Sequence, residues 1–73
     1  MTEDAKFKRE TYARLVDYRQ THGLSSFLRL SQASRGALTT EEIHAMYMVG
    51  RMPMQKWRRL AAALTKEEQK LKN

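Results

Sequence analysis

Residues 39–64, TTEEIHAMYMVGRMPMQKWRRLAAAL, decide the fold of this chain, because they read as two short helices joined by a tight turn. The first opens with Thr39 as N-cap and Glu42 three residues later. At that spacing the threonine hydroxyl accepts an amide proton from the first turn, while the carboxylate reaches back to the cap amide and favours the positive end of the helix dipole. Gly50 tolerates unusual backbone angles and marks the turn. Pro53 suits the start of a second helix, where its missing N–H would have found no intrahelical acceptor. The second helix is therefore predicted to begin at about Arg51.

At about 100° per residue, that second helix sorts its chemistry into two sides. Met54, Trp57, Leu60, Ala61 and Leu64 gather on one, and Arg51, Met52, Gln55, Lys56 and Arg59 on the other, with Arg58 at the border. The second side is long, basic and rich in donors. Arginine and lysine match guanine O6 and N7, glutamine pairs bidentately with adenine, and a methionine suits the thymine methyl group. Arg51, Met52, Gln55 and Lys56 are thus candidates to read bases in a major groove, and Arg58 and Arg59 to hold phosphates. A basic amphipathic helix also serves as a plain solvated surface. The capped helix before it, the turn glycine and the apolar spacing together favour recognition.

Ile43, Tyr47, Val49, Met54 and Trp57 occupy the five positions that a helix-turn-helix buries: two on the first helix, one in the turn, two on the second. At these residues the chain resembles the helix-turn-helix DNA-binding regulators, especially the small repressors and activators of phages and plasmids. VGRMPMQKWRRL, residues 49–60, looks like their turn and recognition helix. Departures are His44, where the family carries a small residue, and Met48, where its turn begins with glycine. The resemblance covers about a third of the chain. It implies an all-α bundle of four to five helices, one helix-turn-helix domain over residues 1–73 with its core at 39–64. It further implies a sequence-specific regulator of double-stranded DNA, binding a partly palindromic operator as a homodimer. Autoregulatory repression by operator occupancy, on a mobile element, is the simplest version. A rival register resembles the Cro/CI-type repressors. There residues 25–35 form the first helix and 40–49 the reading helix, followed by Gly50 and Pro53, although Glu41 and Glu42 would then face phosphate.

The chain has 73 residues, a formal net charge of +6 and no cysteine. A domain this short has a limited core and often draws on a partner subunit, metal or disulfide. Without cysteine, disulfides and thiolate zinc sites are excluded, which favours self-association. The positive charge is sorted. Residues 37–50 carry Glu41 and Glu42 and no lysine or arginine, whereas 51–59 carry Arg51, Lys56, Arg58 and Arg59 and no acid. Such a field is the electrostatic footprint of a phosphate-backbone partner. No apolar run approaches a membrane span, and the opening MTEDAKFKRE lacks the apolar core of a signal peptide. A cytoplasmic, nucleoid-associated protein is expected, without membrane or small-molecule partners.

Elsewhere the pattern is also helical. Phe7, Thr11, Leu15 and Tyr18, widened by Tyr12, predict an amphipathic helix over about residues 4–21, stopped at His22-Gly23. Its outer side carries Lys6, Arg9, Arg14 and Asp17. A shorter helix is expected from Ser25 or Ser26 to Ser34, capped by a serine, with Leu24, Phe27, Leu28 and Ser31 on one side and Arg35-Gly36 at its end. Thr65 and Glu68 repeat the capping spacing, so the chain either breaks there or continues as one helix with a seam of Ala61, Leu64, Glu68 and Leu71.

Other chemistries find less support. Met46, Met48, Met52 and Met54 beside His44 offer soft ligands for copper(I), but residues two apart on a helix point in nearly opposite directions, so no metal is expected. His22 and His44 have no spacing to a serine or aspartate that suggests a triad, and no glycine-rich phosphate loop is present, so the protein reads as a non-enzyme without cofactor. The competing functional class is a basic helical adaptor that grips an acidic partner such as a polymerase subunit or antitoxin-type peptide. An RNA binder ranks third, lacking exposed aromatics for stacking.

Overall fold

The computed structural model describes residues 2–72, with side chains through Lys70. The chain is all-helical, with no strand among the described residues. Helices α1 (Glu3–His22), α2 (Ser26–Ala33), α3 (Thr40–Met48) and α4 (Met54–Lys72) are joined by a 3-10 turn at Gly23–Ser25 and by two loops.

The first helix follows its stripe. Thr11, Leu15 and Tyr18 are buried, Thr2 accepts the Ala5 amide at the N-terminus, and Glu3 and Asp4 sit at the positive end of the dipole. Gly23 ends the helix with φ 68° and ψ −141°, backbone that side-chain-bearing residues rarely adopt. Arg14, expected to be solvated, instead reaches α4, where its guanidinium bonds Thr65 Oγ1 at 3.0 Å and Glu68 Oε1 at 3.2 Å.

The second helix keeps its expected face only in part: Phe27 is half-buried against the core. Ser26, Leu30 and Ala33 are buried, whereas Leu24 is 91% and Leu28 53% exposed. Small residues face inward because α2 is wedged between α3 and α4, and a short side chain permits the approach. No serine side chain caps this helix. The preceding 3-10 turn supplies carbonyls and amides in sequence, so Ser25 Oγ instead donates to His22 O and Ser26 Oγ to Gly23 O. The following loop is organised by two serines: Ser34 Oγ accepts the Leu38 amide at 3.1 Å, and Ser31 Oγ donates to Leu38 O at 2.8 Å. Leu38, so pinned, is fully buried.

At the start of α3 the capping box forms as its spacing predicts: Glu42 N–H donates to Thr39 Oγ1 at 3.1 Å and Thr39 N–H to Glu42 Oε1 at 3.0 Å. Thr39→Ala is expected to lower stability by about 1 kcal/mol, read as a shift in urea midpoint at unchanged slope. The helix closes with the amides of Val49 and Gly50 both on Ala45 O, at 2.8 and 3.2 Å, and Gly50 takes φ 78°.

The fourth helix begins at Met54, three residues later than expected. Proline disfavours helical angles at Met52 before it and offers no amide proton, so Arg51 and Met52 remain in the loop. The Pro53 carbonyl accepts the amides of Lys56 and Trp57 and starts the helix. Through Thr65 it then runs unbroken to Lys72. Thr65 does not cap; its hydroxyl donates back to Ala61 O at 3.0 Å. Of the seam once open to a partner, Ala61 and Leu64 are buried inside the chain and Glu68 is exposed, while the Leu71 side chain lies outside the described residues.

Packing departs from a self-contained pair over residues 39–64. Helix α2 contacts both α3 and α4, and α1 lies across α4, whereas α3 and α4 scarcely approach each other directly. They meet instead through the core, where Ile43 and Met46 join Trp57, Leu60 and Leu64. Val49, assigned to a buried turn position, is 66% exposed. Met46 takes the inward role. A loop of five residues, 49–53, holds the two helices too far apart for Val49 to be enclosed. Because Asp4 lies near Arg58 and Tyr18 near Glu67, α1 and α4 run in the same direction.

Candidate nucleic-acid interface

The inner side of α4 is fixed first. Trp57, Leu60 and Leu64 are fully buried and Ala63 nearly so, which leaves the opposite side of this long helix to solvent. Trp57 is held by Tyr12, with ring centroids 6.4 Å apart, and by the Lys8 ammonium 5.6 Å from its ring centre. Tyr12 is tied in turn to α3 by a hydrogen bond from its hydroxyl to Tyr47 O at 2.9 Å. The outward residues of α4 are therefore presented from a rigid support.

The six residues singled out in the sequence separate into different settings. Arg51, Gln55 and Arg59 are exposed and stand outside the ion pairs formed among the described residues. Arg58 is exposed and lies 3.8 Å from Asp4 at the start of α1, a loose and solvated pair. Met52 is half-buried against the core rather than turned to a groove. Lys56 is spent within the chain. Its ammonium lies 2.9 Å from Glu42 Oε2 and donates to Ala37 O at 3.3 Å, tying the first turn of α4 to the start of α3. The Glu42 carboxyl is held below the usual carboxylate range, first by the Thr39 backbone amide and then by Lys56. The glutamate that would repel phosphate is thereby satisfied internally.

The exposed side of α3 carries Thr40, Glu41, His44 and Met48, with no cation. His44 packs edge-on to Phe27, centroids 5.7 Å apart. In place of the small residue that would let α3 approach α4, it turns toward α2. The methionines do not converge: Met46 is fully buried and Met48 64% exposed.

A second basic feature joins Arg59, one of the expected six, to two further cations. Between the C-terminal end of α2 and the middle of α4 lies an open groove of about 310 Å³, lined by Arg35, Arg59 and Lys66 over a floor of alanines, with no acidic residue. The spacing of Arg59 and Lys66, seven apart on one helix, places them on one face and is legible in the sequence. Arg35 joins them only because α2 packs on α4. Arg35 has φ 57°, left-handed backbone that a residue bearing a Cβ occupies at a cost and that glycine or asparagine usually fills at the end of a helix.

The chain matches no family model, no curated protein and no solved structure.

Proposed function

We propose that this protein is a sequence-specific regulator that binds double-stranded DNA through the outer side of α4 and the loop before it. The observation that carries the reading is the exposure of Arg51, Gln55, Arg58 and Arg59 on a segment whose inner side is locked by Trp57 and Leu60. Cationic and amide donors held on a rigid helix meet both needs of DNA recognition: phosphates fix position, and bidentate groups select bases. Gln55 and Arg51 are the base-reading groups, and Arg58 and Arg59 the phosphate contacts. Lys56 serves as the strut that sets the angle of α4, and Met52 packs beneath. Repression by operator occupancy, as a homodimer on a palindromic site of a mobile element, follows the resemblance to small helix-turn-helix regulators.

The close packing of α2 on α3 favours the rival, Cro/CI-like register for the helix pair. Its reading helix would present Glu41 and His44, and the basic side of α4 would then grip only backbone. The test uses duplexes selected from a random pool and titrated by fluorescence anisotropy. Gln55→Ala is expected to relax preference about tenfold at one base pair, while Arg58→Ala weakens all duplexes alike. If His44→Ala changes the preferred sequence and Gln55→Ala does not, the reading helix is α3.

A protein adaptor is the second reading, supported by Leu24, Leu28, Met48 and Val49, four apolar residues left exposed. They lie at one end of the α2 and α3 pair, since Phe27 in the first turn of α2 meets Tyr47 near the end of α3, centroids 5.6 Å apart. Exposed apolar side chains gathered at one end suit a second copy or a different protein. Duplex affinity that falls linearly in log–log salt plots, with one sequence preferred throughout, supports the regulator. Absence of any duplex preference leaves the adaptor.

A further inference from the structure

We propose that the groove between the C-terminal end of α2 and the middle of α4 seats one phosphodiester group of duplex DNA, held by Arg35, Arg59 and Lys66. The inference rests on the DNA-binding reading and adds a backbone contact farther along the side of α4 that carries Gln55, beyond Arg59.

Charge is the first argument. Three cations line one open groove that no carboxylate enters. The acids closest in sequence and space are directed elsewhere. Glu67, next to Lys66, turns inward to accept the Tyr18 hydroxyl at 2.7 Å and to pair with Lys70. Glu42 is engaged by Lys56 at the Ala37 end of the groove. Converging like charges without a counterion are unfavourable, and an oxyanion between them relieves the repulsion.

The end of a helix opposes an anion through its free carbonyls, so that objection has to be met. Here the carbonyls are occupied. The amides of Ser34, Arg35 and Gly36 take Leu30 O, Gln32 O and Ser31 O, at 3.0, 3.0 and 3.3 Å, and the Lys66 ammonium donates to Ala33 O at 3.4 Å. An ammonium carries three donors, so Lys66 can cap α2 and still face the groove. The short side chains of Ala33, Ala37, Ala62 and Ala63 leave the groove open to a backbone phosphate.

Arg35 is the second argument. At φ 57° a glycine would fit with less strain, yet the chain places there a long cation that makes no hydrogen bond or ion pair through its side chain among the described residues. A left-handed residue of this kind is more readily explained by what its side chain holds than by the turn it occupies.

The variant Arg35→Gly separates fold from binding, because it relieves the left-handed backbone; its melting temperature is expected to equal or exceed that of the parent. Inorganic phosphate, titrated at constant ionic strength against the labelled protein, should shift the amide resonances of residues 34–37 and 59–66, and Arg35→Gly or Lys66→Gln should abolish those shifts. On DNA, Arg35→Gly should weaken preferred and random duplexes by the same factor. It should also reduce the slope of log affinity against log salt by about one, the signature of one lost phosphate contact. An unchanged slope in a variant that still binds duplex overturns the seat and leaves the DNA reading standing. Phosphate shifts in the groove without duplex binding by the parent overturn the DNA reading, and with it the duplex as occupant. A glutamate-rich peptide that shifts these resonances when phosphate does not would replace the phosphodiester with a carboxylate partner.

Discussion

Trp57→Ala is expected to cost about 3 to 5 kcal/mol of folding stability, the usual range for deleting a buried large aromatic side chain. A 73-residue domain has roughly 4 to 11 kcal/mol in total at typical values per residue, so the variant gives up a large share of its stability, and all of it at the low end of that range. The reason is positional. Trp57 is fully buried where α1, α3 and α4 converge, with Tyr12 and Lys8 on its ring and Ile43 and Met46 in the same cluster. The companion variant Trp57→Phe should be far milder. It keeps an aromatic ring in place and removes the buried Nε1–H, which finds no acceptor among the described residues. An orphan donor of this kind costs about 1 to 3 kcal/mol, which offsets much of the lost packing. Urea unfolding followed by far-ultraviolet circular dichroism checks both. Equal losses in the two variants would mean that a phenyl ring cannot stand in for the full indole at this site.

Trp57 also shows what a single sequence reveals. Where a signal is local, it was legible: the Thr11, Leu15, Tyr18 stripe, the stop at Gly23, the Thr39 and Glu42 capping box and the inner side of α4 all appear in the structure. These depend on a helical repeat or on groups three residues apart. The face of α2 was not legible, because Leu24 and Leu28 satisfy the helical spacing as well as Ser26, Leu30 and Ala33 do. Hydropathy favours the leucines; the close approach of α4 favours the small residues, and that approach is tertiary. Lys56 has the same origin. On a helical wheel it belongs with Gln55 and Arg59, but Glu42 and Ala37 O lie within its reach once α3 and its loop are in place. Arg35 shows the converse, since a loop residue remote in sequence becomes the neighbour of Arg59 and Lys66 only through the fold. The candidate surface therefore shifted along α4 rather than away from it.

Tyr18→Phe is expected to lower stability by about 1 to 3 kcal/mol, because it removes a 2.7 Å hydrogen bond and leaves the Glu67 carboxylate short of a donor in a site where both residues are buried. Both groups titrate away from their ordinary values. Burial pushes the Tyr18 phenol up to about 12, assisted by the hydrogen bond to Glu67 and the negative charge beside it. Burial alone would raise the Glu67 carboxyl, but the Tyr18 hydroxyl and the Lys70 ammonium outweigh it and hold the group below its usual range. The two shifts act at opposite ends of the pH scale. A phenol raised on folding contributes stability that is complete below its unfolded value of about 10 and is lost as pH climbs toward about 12, on the order of 2 kcal/mol. A carboxyl lowered on folding contributes stability present above its unfolded value and lost as pH falls through the folded one. The parent should thus lose stability at both extremes, and Tyr18→Phe should abolish its own alkaline share while weakening the acid one. Melting temperatures across pH, paired with tyrosinate absorbance, test this. If Tyr18→Phe melts along the parent's alkaline curve, the phenol is not the group that titrates there. Lys70→Gln isolates the ammonium's share: it should raise the Glu67 carboxyl and move the acid limb to higher pH, with no effect at the alkaline end beyond the general change in charge.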